Sequence, residues 1–160
     1  MPSILQQVTE SMGKALRESD YFRTSPIIPV LQDDEKEVFK QIEIAGSRTG
    51  AFVMISFEGT GDSDADTPGP DLGDCQFVVT CVEIPAIWRQ KPGLTNPASQ
   101  ISEAVANILQ NHRPLDENGA AVTGGGLIFK SIKSQTDEST IQYAVTFSIG
   151  LYIQQTEPSR

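Results

Sequence analysis

From Ile141 to Ile153 apolar side chains occupy every second position: Ile141, Tyr143, Val145, Phe147, Ile149, Leu151 and Ile153. The residues between them are mostly small or polar. Successive side chains of a strand point to opposite faces, so seven alternations without a slip predict one long strand with one buried face. Thirteen residues would span roughly 43 Å, against ~17–20 Å for a usual strand. A strand of that length is expected to need more cover than one small domain supplies.

Elsewhere the period changes. Ile4, Leu5, Val8, Met12, Ala15 and Leu16 recur at helical spacing, and Ser3 with Gln6 forms a capping-box pair, so residues 3–18 read as an amphipathic helix. Gly13 weakens that helix slightly. Ile27 to Leu31 is a short extended piece, which Pro29 assigns to a sheet edge or strand start. Asp34 and Glu37 cap a second helix that carries Val38, Phe39 and Ile42 inward and stops near Ala45-Gly46. Ala51 to Phe57 is apolar on both faces and reads as a central strand, covered on both sides or by a neighbouring subunit. Gly59 to Asp74 reads as a long polar loop, and Cys75 to Ile84 as the next strand. After a proline-punctuated loop from Pro85 to Pro97, a third helix starts with Asn96 as cap and Pro97 as first residue, and His112-Arg113-Pro114 ends it. Leu127 to Lys133 and Thr140 to Ile153 complete the series. The order α-β-α-β-β-α-β-β defines an α+β fold: a mostly antiparallel sheet of four to five strands with about three helices packed on it. Residues 1–153 form one domain, and 154–160 a flexible tail.

Composition then excludes several classes. The chain has 160 residues, 12 basic against 21 acidic, for a net charge of −9. Phosphate attraction needs clustered Lys and Arg, which are absent, so specific nucleic-acid binding is not expected. The N-terminus has no basic, apolar leader pattern, and no apolar run approaches the ~20 residues of a membrane span. Cys75 and Cys81 lie six residues apart on one strand, roughly 20 Å, beyond disulfide reach. They read as buried thiols of a chain in a reducing compartment, the cytosol by default.

Candidate chemistry is sparse. Asp62, Asp64 and Asp66 have calcium-loop spacing, but Thr67 and Gly73 stand where that motif needs Gly and Glu, so a solvated acidic loop fits better. Gly124-Gly125-Gly126 precedes a strand, not the Lys-Ser/Thr and helix of a phosphate loop, and reads as a flexible turn. His112 is the single histidine, at a helix end, and no Gly-x-Ser-x-Gly elbow is present. No catalytic residue, cofactor site or metal site is assigned, and the chain is not read as an enzyme. Trp88 and Arg89 sit in an apolar loop with interface-anchor composition; the other reading has Trp88 folded back over the sheet edge. Tyr152, at the end of the last strand, joins them as a candidate interface residue.

With these elements in order, several strings resemble a known family. They are the short strand around Pro29, Gly50-Ala51-Phe52-Val53-Met54-Ile55, Val82-Glu83-Ile84-Pro85, the helix Ala104 to His112, and Tyr143-Ala144-Val145-Thr146-Phe147. Together, over roughly residues 1–153, they resemble the minor tail proteins of tailed phages and prophages, in particular the lambda-type tail terminators. The resemblance implies an α+β subunit of a hexameric ring that closes the head-proximal end of the tail tube. It also implies partners on both sides, the tube protein below and a head–tail connector or neck protein above. Such a protein resides in the virion tail and assembles in the bacterial host cytoplasm, without catalysis or cofactor.

Six copies would carry a charge of about −54. Asp62, Asp64, Asp66, Asp71 and Asp74 are therefore expected to face the lumen, where DNA passes without being bound specifically. Two other readings share parts of the pattern: a related neck or head–tail joining protein, and a small cytosolic enzyme or ligand-binding domain. The last predicts a concave apolar pocket with converging polar groups.

Overall fold

A computed structural model describes residues 3–24, 28–32, 40–44, 50–60, 71–88 and 97–152, with the side chains of residues 71, 72, 88 and 152 outside the description. The expected cap residues Asp34, Glu37 and Asn96 and the tail 154–160 also lie outside it.

The first helix forms where its local signals place it. Ser3 Oγ accepts from the Gln6 amide at 3.1 Å, and Gln6 Oε1 accepts from the Ser3 amide at 3.0 Å. The reciprocal pair opens α1, Ile4–Glu18, which buries Val8, Met12 and Leu16 on one stripe. Ser19 ends it and caps a short α2, Asp20–Arg23, that the sequence pattern did not predict. Then comes β1, Val30–Gln32, an edge strand as Pro29 requires. Residues 40–44 are helical, within the span expected for the second helix.

Three long strands form the centre of the sheet. They are β2, Ala51–Thr60; β3, Asp71–Glu83; and, after the helices α3, Pro85–Trp88, and α4, Ala98–Leu109, the last strand β5, Ile141–Tyr152. β4, Ile128–Ser134, lies outside β5. The spatial order is β1-β2-β3-β5-β4, antiparallel throughout except for the parallel β1–β2 pair. Among the described residues this is the expected α+β architecture, with five strands and two short helices added.

Two expectations are corrected. The segment Gly59 to Asp74 is not loop throughout: β2 runs on to Thr60 and β3 starts at Asp71. Register shifts at Phe57/Gly59 and Asp71/Gly73 break the side-chain alternation there while the backbone ladder continues. The length of β5 is also matched within the chain. β3, at 13 residues, pairs with it from Asp71↔Tyr152 to Glu83↔Ile141, so β5 needs no neighbouring subunit for its ladder.

The ladder sorts side chains into two faces. On one, Val53 and Ile55, Cys75, Phe77, Val79 and Cys81, and Val145, Phe147, Ile149 and Leu151 pack beneath α1 and α4 as the main core. Each such large side chain contributes about 1.5–3 kcal/mol by burial. Neither cysteine forms a disulfide and both are buried there, as their spacing predicted, and burial pushes the Cys81 thiol far above its ordinary range. On the other face a smaller cluster of Leu31, Phe52 and Val82 gathers Ile42, Met54 and Ile84. The central strand is therefore apolar on both faces because helical residues 40–44 supply Ile42 to the second one.

The third helix begins differently from expectation. Pro97 is its N-cap and has no side-chain hydrogen bond to give. The buried Glu83 carboxylate substitutes from the end of β3: its Oε1 accepts from the Ala98 amide at 2.9 Å. An anion at a helix N-terminus meets an unpaired amide and the positive end of the dipole together.

Candidate functional site

The second face of the sheet holds a broad hollow. Ile42, Phe52, Met54, Val82, Ile84 and Ile87 surround a cavity of about 550 Å³, with Glu43, Thr80, Thr140 and Gln142 on its border. It is concave and apolar, half of what a ligand-binding domain requires. Converging polar groups are the other half. The Gln142 amide turns instead to the β4–β5 hairpin, donating to Thr140 Oγ1 at 2.7 Å and to Asp137 Oδ2 at 3.5 Å.

That hairpin is organised by Asp137. Its Oδ1 accepts from the Ser139 and Thr140 amides at 2.9 and 2.8 Å and from both hydroxyls. These donors, the Ser139 amide first, hold its carboxyl below the usual range. Asp137 is an Asx-turn residue, and its work is structural.

His112 lies three residues past α4, half-buried, with Nε2 at 3.0 Å from Ser11 Oγ on α1. Ser11 Oγ also accepts from the Leu115 amide at 3.0 Å. The hydroxyl hydrogen is then free to donate to an unprotonated Nε2, which ties α1 to the 111–115 turn. A serine beside a histidine suggests nucleophilic chemistry. Here the serine is buried inside a helix with its oxygen already used as an acceptor, so it acts as a staple. Burial holds His112 below its ordinary pKa, with a backbone hydrogen bond to Ser11 opposing. The adjoining cleft, about 260 Å³, is lined by Glu10, Glu18, Asp116 and Glu117 with Lys14.

The glycine run is not a loose turn. Arg113 donates to the carbonyls of Thr123 and Gly124 at 3.3 and 2.8 Å. Leu127 and the 111–112 backbone exchange hydrogen bonds at 2.9 and 2.8 Å. Gly126 lies so close to Asn111 that a Cβ there would meet the Asn111 carbonyl oxygen at 2.6 Å. Close approach, not flexibility, explains that glycine.

Of the residues singled out in the sequence, Asp62, Asp64, Asp66 and Arg89 lie outside the described residues. Trp88 closes α3, and its side chain lies outside them too. Asp71 and Tyr152 face each other across the β3–β5 ladder, one from each candidate set. Asp74 is exposed two residues before Gln76 on β3. Among the described residues no group of three or more His, Cys, Asp or Glu is placed to hold a metal, and no helix is long and apolar enough to cross a membrane.

Sequence comparison is silent: no family model and no curated protein matches the chain. The fold is not. It is shared with a chain of the virion of a native gene transfer agent particle, at TM-score 0.59 and 18% identity over 91% of this chain and 94% of that one. A second solved chain matches over 96% of both lengths, at TM-score 0.52 and 14% identity. Full-length coverage in both directions makes the likeness one of whole domains.

Proposed function

We propose that the chain is a structural subunit of a tailed phage or phage-like particle, acting as a tail terminator. In this reading copies form a ring, a hexamer by family resemblance, at the head-proximal end of the tail tube. The ring stops tube growth and offers the head its docking surface. The observation that carries the proposal is the whole-domain fold shared with a virion chain of a gene transfer agent. The family resemblance of the sequence supports the finer role. Asp62, Asp64 and Asp66, between β2 and β3, would present negative charge to DNA passing through, which discourages sticking.

The test is polymerisation of the tube protein in the presence of the purified chain, with tube lengths read by electron microscopy. Capped tubes of limited length are expected, carrying the protein at one end. Tubes of unchanged length would overturn the terminator role, and protein found on tailless heads would move it to the neck. For the acidic loop, Asn at Asp62, Asp64 and Asp66 should slow DNA ejection from normally assembled particles. Unchanged ejection would remove that part.

A further inference from the structure

The two margins of the sheet are finished differently. At the β1 margin Arg17 Nη2 donates to the Val30 carbonyl at 2.8 Å, and Gln32 is buried beside α1. The β4 margin, among the described residues, pairs with β5 alone. Gln110 Oε1 accepts from the Phe129 amide at 2.8 Å and covers its start. Beyond that point Lys130, Lys133 and Ser134 are exposed, next to Ile128 at 53% and Phe129 at 38% exposure.

Charge is distributed across the same sheet in one direction. β4 is the strand that carries lysines, Lys130 and Lys133, and it carries no acid. β2 and β3 carry acids and no cation: Glu58, Asp71, Asp74 and Glu83. Glu83 is spent on α4, whereas Glu58 and Asp74 are exposed at one end of the β2–β3 pair, flanking Gly59↔Gln76. β1 and β5 are uncharged.

Two copies joined β4 to β4 would set lysines against lysines, and like charges facing across a strand pair are destabilising. Edge lysines commonly keep sheets apart for that reason. Here they stand beside two exposed apolar side chains, and the exposed acids Glu58 and Asp74 lie on β2 and the middle strand β3, at the end of that pair which β1, paired only with Val53–Ile55, does not reach. We infer that the β4 margin of one copy docks against the Glu58–Asp74 end of the next. Such a contact joins two different surfaces, and a contact of that kind closes into a ring when its rotation permits. The inference rests on the ring reading above and adds to it which surfaces meet.

The experiment uses the full chain and two charge-reversed variants, Lys130→Glu with Lys133→Glu, and Glu58→Lys with Asp74→Lys. All four positions are exposed, so circular dichroism and melting are expected to match wild type. Native mass spectrometry is then run over a wide concentration range. Wild type is expected to form a ring, with each variant alone weakened at least about tenfold. An equimolar mixture of the two variants is expected to restore the ring, since each supplies the sign the other lacks. A ring untouched by Lys130→Glu with Lys133→Glu overturns this interface and leaves the terminator reading standing. Loss of the ring in both variants without rescue on mixing overturns the pairing. Wild type monomeric at every concentration, including on growing tube ends, overturns the ring and the interface with it.

Discussion

The Glu83 carboxylate accepts a hydrogen bond from the Ala98 amide at 2.9 Å, joining the end of β3 to the start of α4 across fifteen residues of chain. Both residues are buried, and Pro97 has no side chain able to cap the helix instead. Glu83→Ala leaves the amide without a partner and is expected to cost about 1–3 kcal/mol. Glu83→Gln keeps an acceptor oxygen but loses the charge at the dipole, and about half that cost is expected. Urea unfolding of the two variants checks the order. Midpoints of both variants equal to that of wild type would show that this contact carries no stability.

That contact also marks what the sequence conceals. α1 is legible because its cap pair and apolar stripe lie within one local window. β5 is legible because every inward residue from Val145 to Leu151 is apolar, and the structure buries all four. The ends of β2 and β3 are not, because bulges at Gly59 and Gly73 remove the alternation that marks a strand, and Gly73 sits at φ 61°. Glu83, Ser11 with His112, and Gly126 are illegible for another reason. Each depends on a neighbour that the fold supplies from a distance, and no local motif announces it. Likewise the charge polarity of the sheet exists only once the strand order is known.

The glycine run separates two roles within three residues. Gly124→Ala meets nothing within 4 Å and should be neutral or stabilising by up to about 1 kcal/mol, since it restricts the unfolded chain. Gly126→Ala drives a Cβ into the Asn111 backbone and should cost about 1–3 kcal/mol. Thermal melts of the pair decide this. Similar melting temperatures would mean that the backbone at Asn111 yields without cost.

Tyr21 holds a buried hydroxyl that has no hydrogen-bond partner among the described residues, and its ring packs edge-on to Phe22 at 5.4 Å. Burial, then the nearby Cys81 thiol, pushes its pKa up. Removing the hydroxyl relieves an unpaired polar group while the ring contact stays. Tyr21→Phe is therefore expected to raise stability by up to about 1 kcal/mol. A loss of stability on denaturant titration would reveal a partner for that oxygen.

His112 gives the fold a signed dependence on pH. Burial lowers its folded pKa below the unfolded value of about 6.5. The folded chain therefore favours the neutral ring that accepts from Ser11, while the unfolded chain takes up a proton more readily. Where the unfolded state binds more protons, stability rises with pH. The contribution is complete above about pH 6.5 and is lost as pH falls from there through the folded value. His112→Gln removes the titration. The four carboxylates lining the cleft are present in both wild type and variant. The urea midpoint of wild type should thus fall more steeply between pH 7 and 5 than that of the variant, with the two curves parallel above pH 7. Parallel curves over the whole range would show that His112 titrates alike in both states, and that its bond to Ser11 does not depend on the neutral ring.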